Sequence, residues 1–101
     1  MSRARIDIPK DELEAFCQKH HIRRLALFGS VLREDFQPGS DVDILVEFEP
    51  FRPIGLIRLA AMERELSTLL GRKVDLNTEG FLSPYFRDEV LREAETHYVA
   101  P

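Results

Sequence analysis

The amino-acid sequence predicts a small α/β fold in which helices flank a sheet. Short apolar runs bounded by turn residues mark three strands, at 22–28, 41–48 and 73–78. Segments with apolar residues at helical spacing fall before, between and after them. The order that results is helix, strand, short helix, strand, helix, strand, helix, which is an α/β arrangement. With 101 residues the chain has room for one core, and residues 1–101 are read as a single domain.

Each element has its own signal. After Pro9, the segment KDELEAFCQKHH sets Leu13, Phe16 and Cys17 at helical spacing. Ile22 to Phe28 (IRRLALF) is a strand that stops at Gly29. Val31 to Asp35 is expected to form one or two helical turns, and Gln37-Pro38-Gly39-Ser40 has the composition of a turn. Asp41 to Phe48 alternates: Val42, Ile44, Val46 and Phe48 share one face, and Asp41, Asp43, Leu45 and Glu47 the other. Pro50 and Pro53 close that strand. Gly55 to Leu70 carries a helical apolar stripe that includes Leu56, Leu59, Met62 and Leu66, read as core, and Gly71 is its C-terminal cap. In Lys73 to Thr78, Val74 and Leu76 face one way and Asp75 the other. Ser83-Pro84 opens a last helix, expected to run from Tyr85 to Tyr98. Loop lengths leave open whether the sheet is parallel, antiparallel or mixed.

Composition narrows the function. Hydrophobic residues at 44% and charged residues at 32% suit a soluble globular chain rather than a disordered one. A net charge of -4, with no basic block, argues against direct binding of a long nucleic acid. No apolar run is long enough for a signal peptide or a membrane span, so no membrane association is expected and the cytoplasm is the default compartment. The one cysteine, Cys17, reads as a partly buried thiol. His20, His21 and His97 have no metal-ligand spacing and read as surface or helix-end residues. Glu47 reads as a surface or partner-facing acid.

The chemistry lies where two strands meet their loops. Asp41 and Asp43 are two apart, so in a strand their carboxylates project together. Two acids that close repel, and a divalent cation is a reason for both to stay ionised. Gly29 lets backbone approach a ligand, and Ser30 offers a hydroxyl to a phosphate oxygen, unless it serves only as the N-cap of the short helix. Asp75 is the natural third carboxylate, able to ligate a metal or to help deprotonate an attacking hydroxyl.

Gly29-Ser30, ten residues, then Asp41-Val42-Asp43 resembles the signature of the DNA-polymerase-beta-like nucleotidyltransferase superfamily. The run LFGSVLREDFQPGSDVDILVEF, with the later KVDL, is similar to its minimal nucleotidyltransferases (MNT proteins). That resemblance implies a mixed sheet flanked by helices. It implies two Mg2+ ions held by Asp41, Asp43 and Asp75, and ATP as substrate, its triphosphate held by Gly29 and Ser30. Arg33 matches an arginine that touches phosphate or braces the loop. Glu34 is a departure, since many relatives have glycine there. The resemblance further implies transfer of AMP to a hydroxyl on a cognate HEPN-domain toxin, with this chain as the antitoxin. Two other readings stand beside it: a binding antitoxin that occludes its toxin without catalysis, and a metal-free structural domain.

Overall fold

A computed structural model describes residues 4–50, 54–85 and 87–101. Pro53 and Phe86 lie outside the described residues, as does the start of the chain before Ala4. The elements are α1 (Lys10–Lys19), β1 (Ile22–Phe28), a 3-10 turn (Gly29–Leu32), β2 (Val42–Phe48), α2 (Leu56–Leu70) and β3 (Val74–Thr78). A second 3-10 turn (Glu79–Phe81), α3 (Arg87–Glu93) and β4 (Glu95–Val99) follow.

The strands form one sheet in the order β3-β2-β1-β4. β1 pairs antiparallel with both β2 and β4, whereas β2 and β3 are parallel, so the sheet is mixed. A parallel pair needs a crossover of a dozen or more residues, and α2 supplies it. Gly71 ends α2 in the left-handed conformation (φ 67°), where the Arg72 N–H donates to the Ser67 carbonyl at 3.1 Å.

Alternation decides which side chains go inside. Val42, Ile44 and Val46 of β2 join Leu25 and Leu27 of β1, Val74 and Leu76 of β3, and the inner faces of α1 and α2 in the main core. Cys17 belongs to this core, and burial pushes its thiol up to about 12, so it behaves as a small apolar side chain. On the opposite face Leu45 packs with Leu82 and Val90, beneath α3. That face carries the acidic residues at its other end.

β3 is an edge strand, and two of its outward amides are met by α2. The Val74 N–H donates to Ser67 Oγ at 2.9 Å, and the Leu76 N–H donates to the Glu63 carboxylate at 2.8 Å. Ser67 Oγ in turn donates to the Glu63 carbonyl at 2.8 Å. These side chains cover donors that an open edge would offer to another strand.

Four expectations are corrected. The last helix ends at Glu93, and 95–99 is a strand. Thr96, Tyr98 and Val99 favour a pleated chain, and their pairing with β1 removes what would otherwise be an open edge. The helical turns expected at Val31–Asp35 form instead at Gly29–Leu32, and Arg33 is already extended (φ -119°, ψ 163°). Leu56, placed in the core by its spacing, is the first residue of α2 and is 70% exposed. His97 is not a surface residue: its side chain is 11% exposed on β4, with Nε2 2.8 Å from Glu95 Oε1. His20 does stand at a helix end, capping α1, but its ring is also covered, packed at a tilt against the Phe16 ring and 3.2 Å from Glu65.

Candidate active site

Register brings the acids together. In the parallel β2–β3 ladder Asp43 stands opposite Asp75, and in the antiparallel β1–β2 ladder it stands opposite Phe28, the residue before Gly29. Asp43 therefore sits between the third acid and the glycine-serine turn. Asp41 lies one residue before β2 and is exposed.

The electrostatics follow from that crowding. Burial raises the Asp43 carboxyl from 3.8 to about 6, and the charges of Asp75 and Asp41 push in the same direction. A hydrogen bond between the Asp43 and Asp75 carboxyls also favours the protonated form, while the Arg33 guanidinium opposes it. Two carboxyls close enough to share a proton are a donor set suited to a hard divalent cation, which would take that proton's place. Among the described residues no group of three or more His, Cys, Asp or Glu side chains is gathered closely enough to hold a metal ion. Asp43 and Asp75 are the facing pair, and Asp41 adds its charge from the rim.

Gly29 is required by the backbone and by space. Its φ is +77°, and a Cβ there would overlap Oδ2 of Asp43 and lie 3.2 Å from the carboxyl carbon. Ser30 lies inside the 3-10 turn and not at its N-cap, which is Phe28; the Ser30 carbonyl accepts the Arg33 N–H at 2.9 Å. Arg33 pairs with Asp35 (Nε to Oδ1, 3.4 Å) and, with Gly29, Leu32 and Glu93, lines a cleft of about 140 Å3 beside the acids. Glu34 is exposed and has no positive φ, so this loop follows a path that does not call for glycine there. Glu47 faces Arg24 across the β1–β2 ladder, with 4.0 Å between carboxylate and guanidinium.

All six residues singled out in the sequence thus fall at one end of the sheet. Sequence reasoning missed Lys73, whose Nζ is 3.9 Å from Asp41 Oδ2. The signal was available, because Lys73 is two residues before Asp75 and so belongs to the same strand face.

Residues 10–97 match the nucleotidyltransferase domain. The chain belongs to the nucleotidyltransferase family. Within it the chain is similar to the protein adenylyltransferase MntA of Thermococcus cleftensis, 37% identical over 76 residues that cover 75% of each protein. A solved candidate minimal nucleotidyltransferase is 38% identical, with a TM-score of 0.70 over 85% of this chain and 86% of that one. A structure described as a tri-AMPylated Shewanella oneidensis HEPN toxin in complex with MNT antitoxin matches 90% of this chain and 70% of that chain. At a TM-score of 0.67 and 18% identity, it shows a shared fold. The minimal nucleotidyltransferase fold expected from the Gly-Ser and Asp-x-Asp spacing is therefore the fold of this chain. No helix among the described residues is long and apolar enough to cross a membrane.

Proposed function

We propose that residues 1–101 act as one minimal nucleotidyltransferase domain that moves AMP from ATP onto a hydroxyl of a partner protein, a HEPN-domain toxin, and so neutralises it as an antitoxin in the cytoplasm. The observation that carries this reading is the pairing of Asp43 with Asp75 beside Gly29-Ser30. A steric inhibitor gains nothing from gathering repelling carboxylates, which cost stability unless they serve a ligand. The similarity to a protein adenylyltransferase supports the type of reaction, and the toxin–antitoxin complex with the same fold supports the kind of partner.

The transfer balances simply. The acceptor hydroxyl oxygen forms a bond to the α-phosphorus, the bond from that phosphorus to the bridging oxygen breaks, and pyrophosphate leaves. Asp41, Asp43 and Asp75 are the residues that would hold two Mg2+ ions, which when bound offset the charge of the triphosphate and of the departing oxygen. Gly29, lacking a side chain, lets the triphosphate approach the strand end, and the Ser30 hydroxyl donates to a phosphate oxygen. Arg33 balances phosphate charge from the cleft it lines beside Gly29. Asp75, the exposed member of the acid pair, takes the proton of the attacking hydroxyl.

The test separates catalysis from occlusion. A small amount of this protein with ATP and magnesium should modify a molar excess of its partner, whose mass rises by whole AMP units. The partner should stay inactive once the two are separated. Asp41→Asn with Asp43→Asn should abolish both effects. If the double variant neutralises the partner as well as the parent protein, catalysis is not how neutralisation works and occlusion replaces it.

A further inference from the structure

Arg72 follows the Gly71 cap of α2 and precedes β3. Its guanidinium carbon lies 4.9 Å from the centroid of the Phe36 ring, and Nη1 donates to the Pro38 carbonyl at 3.2 Å. Phe36 packs on the main core, so its ring is held on one side by apolar side chains and on the other by the cation. Pro38 belongs to a turn that is closed twice, by the Ser40 N–H on the Gln37 carbonyl at 2.9 Å and by the Gln37 N–H on Ser40 Oγ at 3.1 Å. The next residue is Asp41.

Asp41 is exposed and precedes β2, so the sheet ladder does not fix it from its N-terminal side. Just beyond it, the Val42 N–H donates to the Lys73 carbonyl at 2.9 Å. Asp41 therefore stands between two attachments of its backbone to the same turn after α2, one through the Arg72 side chain and one through the Lys73 carbonyl, and its exposed carboxylate also lies 3.9 Å from Lys73 Nζ. The second belongs to the fold. The first is a side-chain contact with the loop before β2.

We propose that Arg72 is a positioning residue for nucleotidyl transfer: by clasping Phe36 and Pro38 it holds the 36–40 turn against the end of α2 and so sets where the Asp41 carboxylate stands relative to Asp43. This rests on the reading of Asp41 and Asp43 as the acids that hold magnesium. A guanidinium suits the task because one flat group stacks on the ring with its face and donates to the carbonyl with its edge, which an ammonium does not do. Residues that orient metal-holding side chains change metal affinity or activity about tenfold to a hundredfold when removed.

The test uses the full chain with Arg72→Ala and carries two readouts. In transfer assays, the magnesium concentration giving half-maximal rate should rise about tenfold. In amide hydrogen exchange without metal or nucleotide, Ser40 should exchange faster while Leu25 and Leu45 in the central strands stay as in the parent protein. Phe36→Leu should give the same two changes to a smaller degree, since it leaves the hydrogen bond to Pro38, and the double variant should be no worse than Arg72→Ala alone, because Arg72→Ala already removes the contact with the ring. Unchanged exchange at Ser40, faster exchange throughout the sheet, or additive losses in the double variant would each overturn the inference. Asp43→Asn, assayed in parallel, tells the two failures apart. If it transfers normally, the reading of the site falls and this inference with it. If it is inactive while Arg72→Ala matches the parent protein, this inference alone falls.

Discussion

Asp43→Asn should make the metal-free protein more stable at neutral pH while abolishing transfer. The Asp43 carboxyl is raised from 3.8 to about 6 in the folded chain, first by burial and then by Asp75 and Asp41. A carboxyl whose folded value lies above its unfolded value binds its proton more tightly in the folded state, so folding is penalised once the group must ionise. Well below pH 3.8 the group is protonated in both states and nothing is lost. Stability falls as pH rises from there to about 6, and the full penalty persists above it. At 1.36 kcal/mol per pKa unit, such a shift corresponds to about 3 kcal/mol at full strength. Asp43 is only half-buried and water screens part of the interaction, which leaves about 1 to 2 kcal/mol. Asparagine removes the charge, keeps the shape, and can donate to Asp75. Thermal unfolding in chelating buffer should therefore show the Asp43→Asn variant melting about 5–10 °C higher at pH 7.5, the shift expected of a domain this size. The gap should narrow as the pH falls below about 6 and close only well below 3.8. With magnesium present, the parent protein should gain stability and the variant should not. A variant that melts lower than the parent at pH 7.5 in chelator, or a gap that does not change with pH, would refute the reasoning.

Gly29 and Ser67 offer further checks. Gly29→Ala forces a side chain into φ +77° and onto Oδ2 of Asp43, so it should lower stability by about 1–2 kcal/mol and also weaken Mg–ATP binding in calorimetric titration. From the sequence alone, Gly29→Val is expected to weaken ATP binding far more than it weakens the fold, and the collision with Asp43 adds to the cost on the fold. Ser67→Ala strands the Val74 amide on the outer edge of β3 and should cost about 1–2 kcal/mol in urea unfolding, with transfer activity kept at low temperature.

What the sequence shows of the fold depends on how local each cause is. The alternation in 42–48 works through side chains two residues apart, and β2 forms there with Val42, Ile44 and Val46 buried. Gly71 caps α2 for an equally local reason. The last segment is different. DEVLREAETHY contains good helix formers up to Ala94, and the residues beyond it are drawn into the sheet by an edge of β1 seventy residues earlier in the chain. Nothing local announces that partner, although Thr96, Tyr98 and Val99 are strand formers once it is present. Leu56 departs for a related reason: its spacing is that of the core stripe, but it is the first residue of the helix and is exposed.

The candidate site depends on spacing more than on topology. Asp-x-Asp keeps two carboxylates near one another even though Asp41 falls one residue short of β2, and a glycine-serine at the end of the neighbouring strand needs only that the two strands pair. Asp75 needed more. Its place beside Asp43 depends on a parallel ladder in register, which α2 makes possible but does not specify from sequence. Arg72 was illegible, because its partners, a phenylalanine ring and a proline carbonyl, lie in a loop whose path no periodicity describes. The acids can be named from the sequence, and the contacts that aim them cannot, since aiming is done across the chain by groups with no chemistry of their own.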